Sequence, residues 1–98
     1  MPEFSSPFSG LAKNKKISKE ELIRAVRFMI AAEYEDIQLY VQLAESTDNE
    51  LAAKVLKDIA DEERVHVGEF LKLLEHLDPE EMKLYEKGNE EVREMIEE

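Results

Sequence analysis

Apolar positions along this chain recur at steps of three and four, never in a run of twos. The first run, Leu22, Val26, Met29, Glu33, Ile37, Tyr40 and Ala44, marks one face of a helix. It opens at Ser18-Lys19-Glu20-Glu21, a capping box in which the Ser18 hydroxyl and the Glu21 carboxylate satisfy free N–H groups reciprocally. It continues to about Ser46. The polar stretch STDNE, residues 46–50, breaks the pattern, with Thr47 or Asp48 expected to cap the next helix. The second run is Ala52, Val55, Ile59, Glu63, His66, Phe70, Leu73 and Leu77. Asp78-Pro79-Glu80-Glu81 then ends this helix and begins another, with Asp78 as cap and Pro79 in the first helical position. Gly88-Asn89 predicts the end of that helix, and residues 90–98 a further short acidic helix or a frayed end.

The pattern therefore predicts an all-α fold, an antiparallel two-helix hairpin plus a short C-terminal helix. Residues 1–17, rich in Ser, Pro and Lys, are expected to be a flexible leader, 18–77 the helical hairpin, and 78–98 a short acidic helical segment. A lone hairpin of this kind leaves an apolar stripe uncovered. In a chain of 98 residues, oligomerisation is the expected remedy.

Both faces are interrupted by polar groups. With the turn at about residue 48, Glu33 lies fifteen residues before it and Glu63 fifteen after. At about 1.5 Å per residue, both stand roughly 22 Å from the turn and face each other at one height. His66 is within a turn of that level. Taken singly, each has an ordinary explanation: a glutamate reaching the rim, a hydrogen-bonded core histidine, a chance Glu-x-x-His. Together they place three groups at one level of an apolar face, where an unpaired carboxylate costs several kcal/mol. A cation compensates them jointly, and carboxylates with an imidazole suit iron, manganese or zinc. Di-iron carboxylate bundles take one Glu from each of two helices and a Glu-x-x-His from each of two others. This chain carries half of that set, and two copies about a two-fold axis complete both the site and a four-helix bundle.

Composition narrows the alternatives. Without cysteine there is no disulfide framework, thiolate zinc site or thiol catalysis. A formal charge of −11 argues against nucleic acid or an anionic membrane as partner. No apolar run reaches a membrane span and no start resembles a secretory signal, so the expected compartment is cytoplasmic.

Ala32-Glu33-Tyr34-Glu35 with Tyr40, the Ser46-Thr47-Asp48 turn, and DEERVH at residues 61–66 resemble the encapsulated ferritin family, half-length ferritin-like hairpins related to rubrerythrins. The resemblance covers about residues 20–77. It implies a ferroxidase oxidising Fe(II) to Fe(III) with dioxygen at a di-iron centre shared across a homodimer interface. It also implies dimers assembled into a ring-shaped decamer inside an encapsulin nanocompartment, where the shell stores the iron. Carried across, Glu63 would bridge the two irons, with Glu33 and His66 as terminal ligands. Glu35 matches a carboxylate associated with iron entry, or is a solvated surface glutamate; Ala32 departs from relatives that are acidic there. Tyr40 is placed to hydrogen-bond a ligand or to serve as a core aromatic. Glu62 is the fallback ligand if the helix is turned by one position, while Glu69 is expected to be a surface charge. The ending EVREMIEE shows no obvious apolar cargo-targeting peptide, so the expectation is either that the peptide was cut away or that this is the ferritin-like part of a chain fused to its shell protein; DEERVHVGEF followed by Leu-Asp-Pro-Glu resembles the fused archaeal type. Rival readings are a rubrerythrin-like peroxidase or manganese catalase on the same scaffold, and a metal-free helical-hairpin oligomerisation module.

Overall fold

The computed structural model describes residues 16–98; the expected leader lies outside these except for Lys16 and Ile17. Three helices follow one another: α1 (Lys19–Glu45), α2 (Glu50–Leu77) and α3 (Pro79–Glu97). At the start of α1 both halves of the capping box form. Glu21 N–H donates to Ser18 Oγ at 3.1 Å, and Ser18 N–H donates to Glu21 Oε1 at 2.9 Å.

The turn between α1 and α2 differs from expectation. Thr47 Oγ1 accepts from Asn49 N–H at 3.1 Å, which tightens the turn and carries the cap one residue onward. Asn49 is the N-cap, its Oδ1 accepting from Ala52 N–H at 2.9 Å. Asp78 serves both neighbours as predicted. Its N–H closes α2 on Leu74 O at 2.8 Å, its side chain caps α3, and Pro79 follows it.

Helix α3 does not stop at Gly88. It runs through to Glu97 as one helix of 19 residues. A lone glycine costs a helix roughly 1 kcal/mol, too little to break one whose apolar positions resume the helical period at Val92 and Ile96. Pairs such as Lys83–Glu80 and Arg93–Glu90 support it along its exposed side.

All eight buried residues among those described are apolar: Ile23, Val26, Ile30, Ile37, Ala44, Ala60, Val67 and Leu74. The closed end of the core is Ile23, Val26, Ile30 and Leu74, with Phe70, Leu71, Leu77 and Met82 packed around it. This is not quite the face predicted. On α2 the buried line is Ala60, Val67 and Leu74, while Val55, His66 and Leu73 of the predicted face are exposed and Ile59, Glu63 and Phe70 half-buried. On α1, Leu22 is exposed and Met29, Glu33 and Tyr40 are half-buried. On α2 the hairpin buries the stripe beside the predicted one, whereas on α1 it takes residues from both, Val26, Ile37 and Ala44 of the predicted face with Ile23 and Ile30 of the neighbouring one. What remains of the two predicted faces, Leu22, Met29, Glu33 and Tyr40 of α1 with Ile59, Glu63, His66 and Phe70 of α2 among them, forms a half-covered surface on one side of the hairpin.

Helix α3 leaves the hairpin at an angle and buries no residue. Its first turns are held by Arg27, which donates from Nε to Glu81 Oε1 at 3.0 Å and pairs again through its terminal nitrogen; Tyr85 OH donates to the same carboxylate. Arg27 and then Tyr85 hold the Glu81 carboxyl below the usual range. The outcome is a thin, spread molecule, 51 × 46 × 19 Å, with a radius of gyration of 17.3 Å. A compact domain of this length would have about 12 Å. Val92, Met95 and Ile96 on α3 are 53%, 68% and 78% exposed.

Candidate metal centre

Glu33 sits midway along α1, and Glu63 and His66 lie one turn apart on α2. The antiparallel pairing brings them to one point. His66 Nδ1 lies 3.6 Å from Glu33 Oε2 and 3.5 Å from Glu63 Oε1. One donor atom from each of the three falls within 4.8 Å of the others. The two carboxylates are well covered, their side chains 16% and 15% exposed, and the imidazole is 47% exposed.

The electrostatics of this point are unfavourable without a cation. Hydrogen bonding to the Glu33 carboxyl, then burial and the neighbouring charge, raise the Glu63 carboxyl above the usual range, with His66 working the other way. That hydrogen bond needs a proton on one of the two acids. With both ionised, they are like charges in a covered site, and Glu33 Oε2 is buried with no hydrogen-bond partner. A buried acceptor left bare in this way costs about 1–3 kcal/mol, and more for a charged group. A divalent cation removes both penalties, so the donor set fits a metal ion. It provides only three side chains, one of them half exposed, and the half-covered apolar surface surrounds them.

The secondary candidates lie elsewhere. Glu35 is exposed on another side of α1. Tyr40 is half-buried and lines a groove with Leu39, Gln42, Leu43 and Ser46 near the turn. Glu62 is exposed, and its hydrogen bond with Asp58, one turn back, raises its carboxyl above the usual range. The structure instead draws in Glu69, which with Glu33, His66 and Phe70 lines a shallow pocket of about 250 Å³. The signal for it was present in the sequence as a second step of three, Glu63-x-x-His66-x-x-Glu69. A larger cleft, about 650 Å³ and lined by Arg27, Ile30, Tyr34, Leu74, Met82 and Tyr85 among others, lies between the hairpin and α3. It holds none of the three clustered donors.

The rubrerythrin family profile matches residues 25–98. A solved structure, the encapsulated ferritin domain from Pyrococcus furiosus, superposes with a TM-score of 0.82 at 42% identity, covering 89% of each chain. The chain belongs to the rubrerythrin family, among its encapsulated ferritin-like members. Two further relatives agree. The chain is 45% identical over 83 residues to a ferritin-like–encapsulin shell fusion protein of Pyrococcus furiosus, covering 85% of this chain and 24% of that one. It is 41% identical over 81 residues to the encapsulin nanocompartment cargo protein EncC of Myxococcus xanthus, covering 83% of this chain and 61% of that one. The chain thus spans about a quarter of the first relative and three-fifths of the second. The three-helix, ferritin-like architecture is that of the solved domain. No helix among the described residues is long and apolar enough to cross a membrane.

Proposed function

We propose that this ferritin-like chain is a ferroxidase that oxidises Fe(II) with dioxygen at a di-iron centre shared between two copies, within an encapsulin shell. The observation that carries the reading is the buried, unpartnered Glu33 Oε2 beside Glu63 and His66. These three are half of a six-residue di-iron set, and they sit on the apolar surface that the hairpin leaves half covered. A second copy docked there about a two-fold axis covers the surface and completes the set. The encapsulin setting rests on the two relatives, one named as a shell fusion and one as a shell cargo.

Fe(II) is the substrate, and iron supplies the electrons that dioxygen accepts. The chain's own residues bind and orient. Glu63 would hold both ions of the pair, and Glu33 and His66 of each copy would each hold one, as the resemblance to the encapsulated ferritins implies. The hard carboxylate oxygens would favour the ferric product, and His66 would ligate through Nδ1, the nitrogen facing the acids. Glu35, exposed on α1, is the candidate for attracting iron from solvent, and Tyr40 for supporting the site from farther along α1.

Stopped-flow oxidation of Fe(II) tests the reading. Glu63→Ala and His66→Ala should abolish the fast phase while helicity by circular dichroism is kept; wild-type rates in either variant would sink the assignment. Turnover of hydrogen peroxide without Fe(II) consumption would transfer the site to peroxidase or catalase chemistry.

A further inference from the structure

Glu69 lies outside the expected ligand set, yet its place beside His66 is specific. Three residues along a helix advance about 300°, which is 60° short of a full turn. Glu63 and Glu69, three positions before and after His66, therefore flank it on opposite sides. Glu63 lies toward the hairpin interior and Glu69 toward the open edge. The imidazole is turned with Nδ1 toward the interior, 3.5 Å from Glu63 and 3.6 Å from Glu33. Nε2 lies across the ring from Nδ1 and so faces away from the two acids, and Glu69 shares the pocket wall with His66.

Glu69 is also unclaimed. Asp61, Glu75, Glu80 and Glu90 each pair with a Lys or Arg three positions away on their own helix. Lys72, three positions after Glu69, pairs with Glu75 at 3.2 Å. Among the described residues Glu69 has no cation within ion-pair distance. The cation-paired acids are ordinary surface charges; Glu69 has instead the His66 imidazole one turn away.

We infer that Glu69 is a positioning residue for the metal centre, accepting a hydrogen bond from His66 Nε2–H. Resting on the metal-centre reading, it explains how that centre keeps a half-exposed histidine in the ligating orientation. A histidine ligating through one nitrogen commonly donates the other N–H to a carboxylate, which fixes tautomer and ring orientation and makes the ligand a better donor. Here a single helix supplies both the bridging carboxylate on one side of His66 and the orienting carboxylate on the other.

The test is titration of the metal-free full chain with Zn²⁺ by calorimetry, comparing wild type, Glu69→Ala and Glu69→Gln. Loss of such a partner typically weakens metal binding about 10–100-fold. Glu69→Ala should show a loss of that size. Glu69→Gln, whose amide oxygen still accepts a hydrogen bond, should recover part of it. The metal-free melting temperature should be unchanged within error in both, since Glu69 is exposed. Wild-type affinity in Glu69→Ala would overturn the inference. So would a Glu69→Gln variant as weak as Glu69→Ala, because net charge alone would then explain the loss. A wild-type chain that binds no Zn²⁺ would instead bring down the metal-centre reading, and this inference with it.

Discussion

Glu63→Gln in the metal-free protein is a perturbation whose sign runs against intuition: removing a residue of the proposed site should stabilise the fold. Glu33 and Glu63 offer carboxylate oxygens within the same 4.8 Å cluster, at side chains about 15% exposed. At that separation, two like charges repel by about 1 kcal/mol in water and about 3 kcal/mol at the effective dielectric of a protein surface. Gln keeps shape and helix propensity, removes the charge, and can donate to the bare Glu33 oxygen. A gain of about 1–3 kcal/mol corresponds to roughly 5–20 °C in melting temperature for a chain of this length. The pH dependence follows from the raised Glu63 carboxyl. A raised folded value means the folded chain holds a proton that the unfolded chain has released. The contribution to stability is full below about pH 4, the unfolded value, and lost as pH rises through the folded one. The advantage of Glu63→Gln should therefore be small in acid and grow toward neutrality. The assay is thermal unfolding followed by circular dichroism at matched concentration across that range, with and without Zn²⁺. At 100 times the dissociation constant, a ligand stabilises by about 2.7 kcal/mol, which wild type should gain and Glu63→Gln should largely forgo. A metal-free Glu63→Gln chain less stable than wild type at neutral pH, yet equally stabilised by Zn²⁺, would refute the reasoning.

Two further substitutions address the fold. Asn49→Ala should cost about 1 kcal/mol in urea unfolding through loss of the α2 cap, whereas Asp48→Ala should cost almost nothing; equal costs would contradict the cap assignment. Gly88→Ala should stabilise by roughly 0.5–1 kcal/mol, since an added Cβ meets nothing within 4 Å and the position is helical. Destabilisation there would mean that α3 breaks at Gly88 after all.

The helix limits that depend on local chemistry could be read from the sequence alone. The Ser18 capping box and the Asp78-Pro79 junction each use groups only a few residues apart, so spacing decides them. Thr47, Asp48 and Asn49 are three adjacent residues able to cap, and only the folding of Thr47 Oγ1 onto Asn49 N–H selects the last. Gly88 was misleading because glycine is a helix stop only when the chain turns there, and the apolar spacing beyond it already continued the helix. The buried face was harder still. Leu22 and Ile23, or Met29 and Ile30, each satisfy a helical period, and which member of the pair is buried depends on the rotation of α1 against α2. Gly68 illustrates the same limit. As a glycine two positions past His66 it could suggest close approach of a partner at the metal face. Two positions, however, turn a helix by about 200°, so Gly68 points away from that face. Glu33, Glu63 and His66 were legible despite this uncertainty. Their common height depends on distance from the turn, which a rotation of either helix leaves unchanged.

One chain carries three donors, half of the proposed metal centre. The most direct measurement is metal per chain, by elemental analysis of protein loaded with Fe(II) or Zn²⁺ and separated by size-exclusion chromatography with light scattering. About one ion per chain is expected, carried only by species of two chains or more. Two ions bound per chain, or metal carried by a monomer with the same affinity, would contradict it.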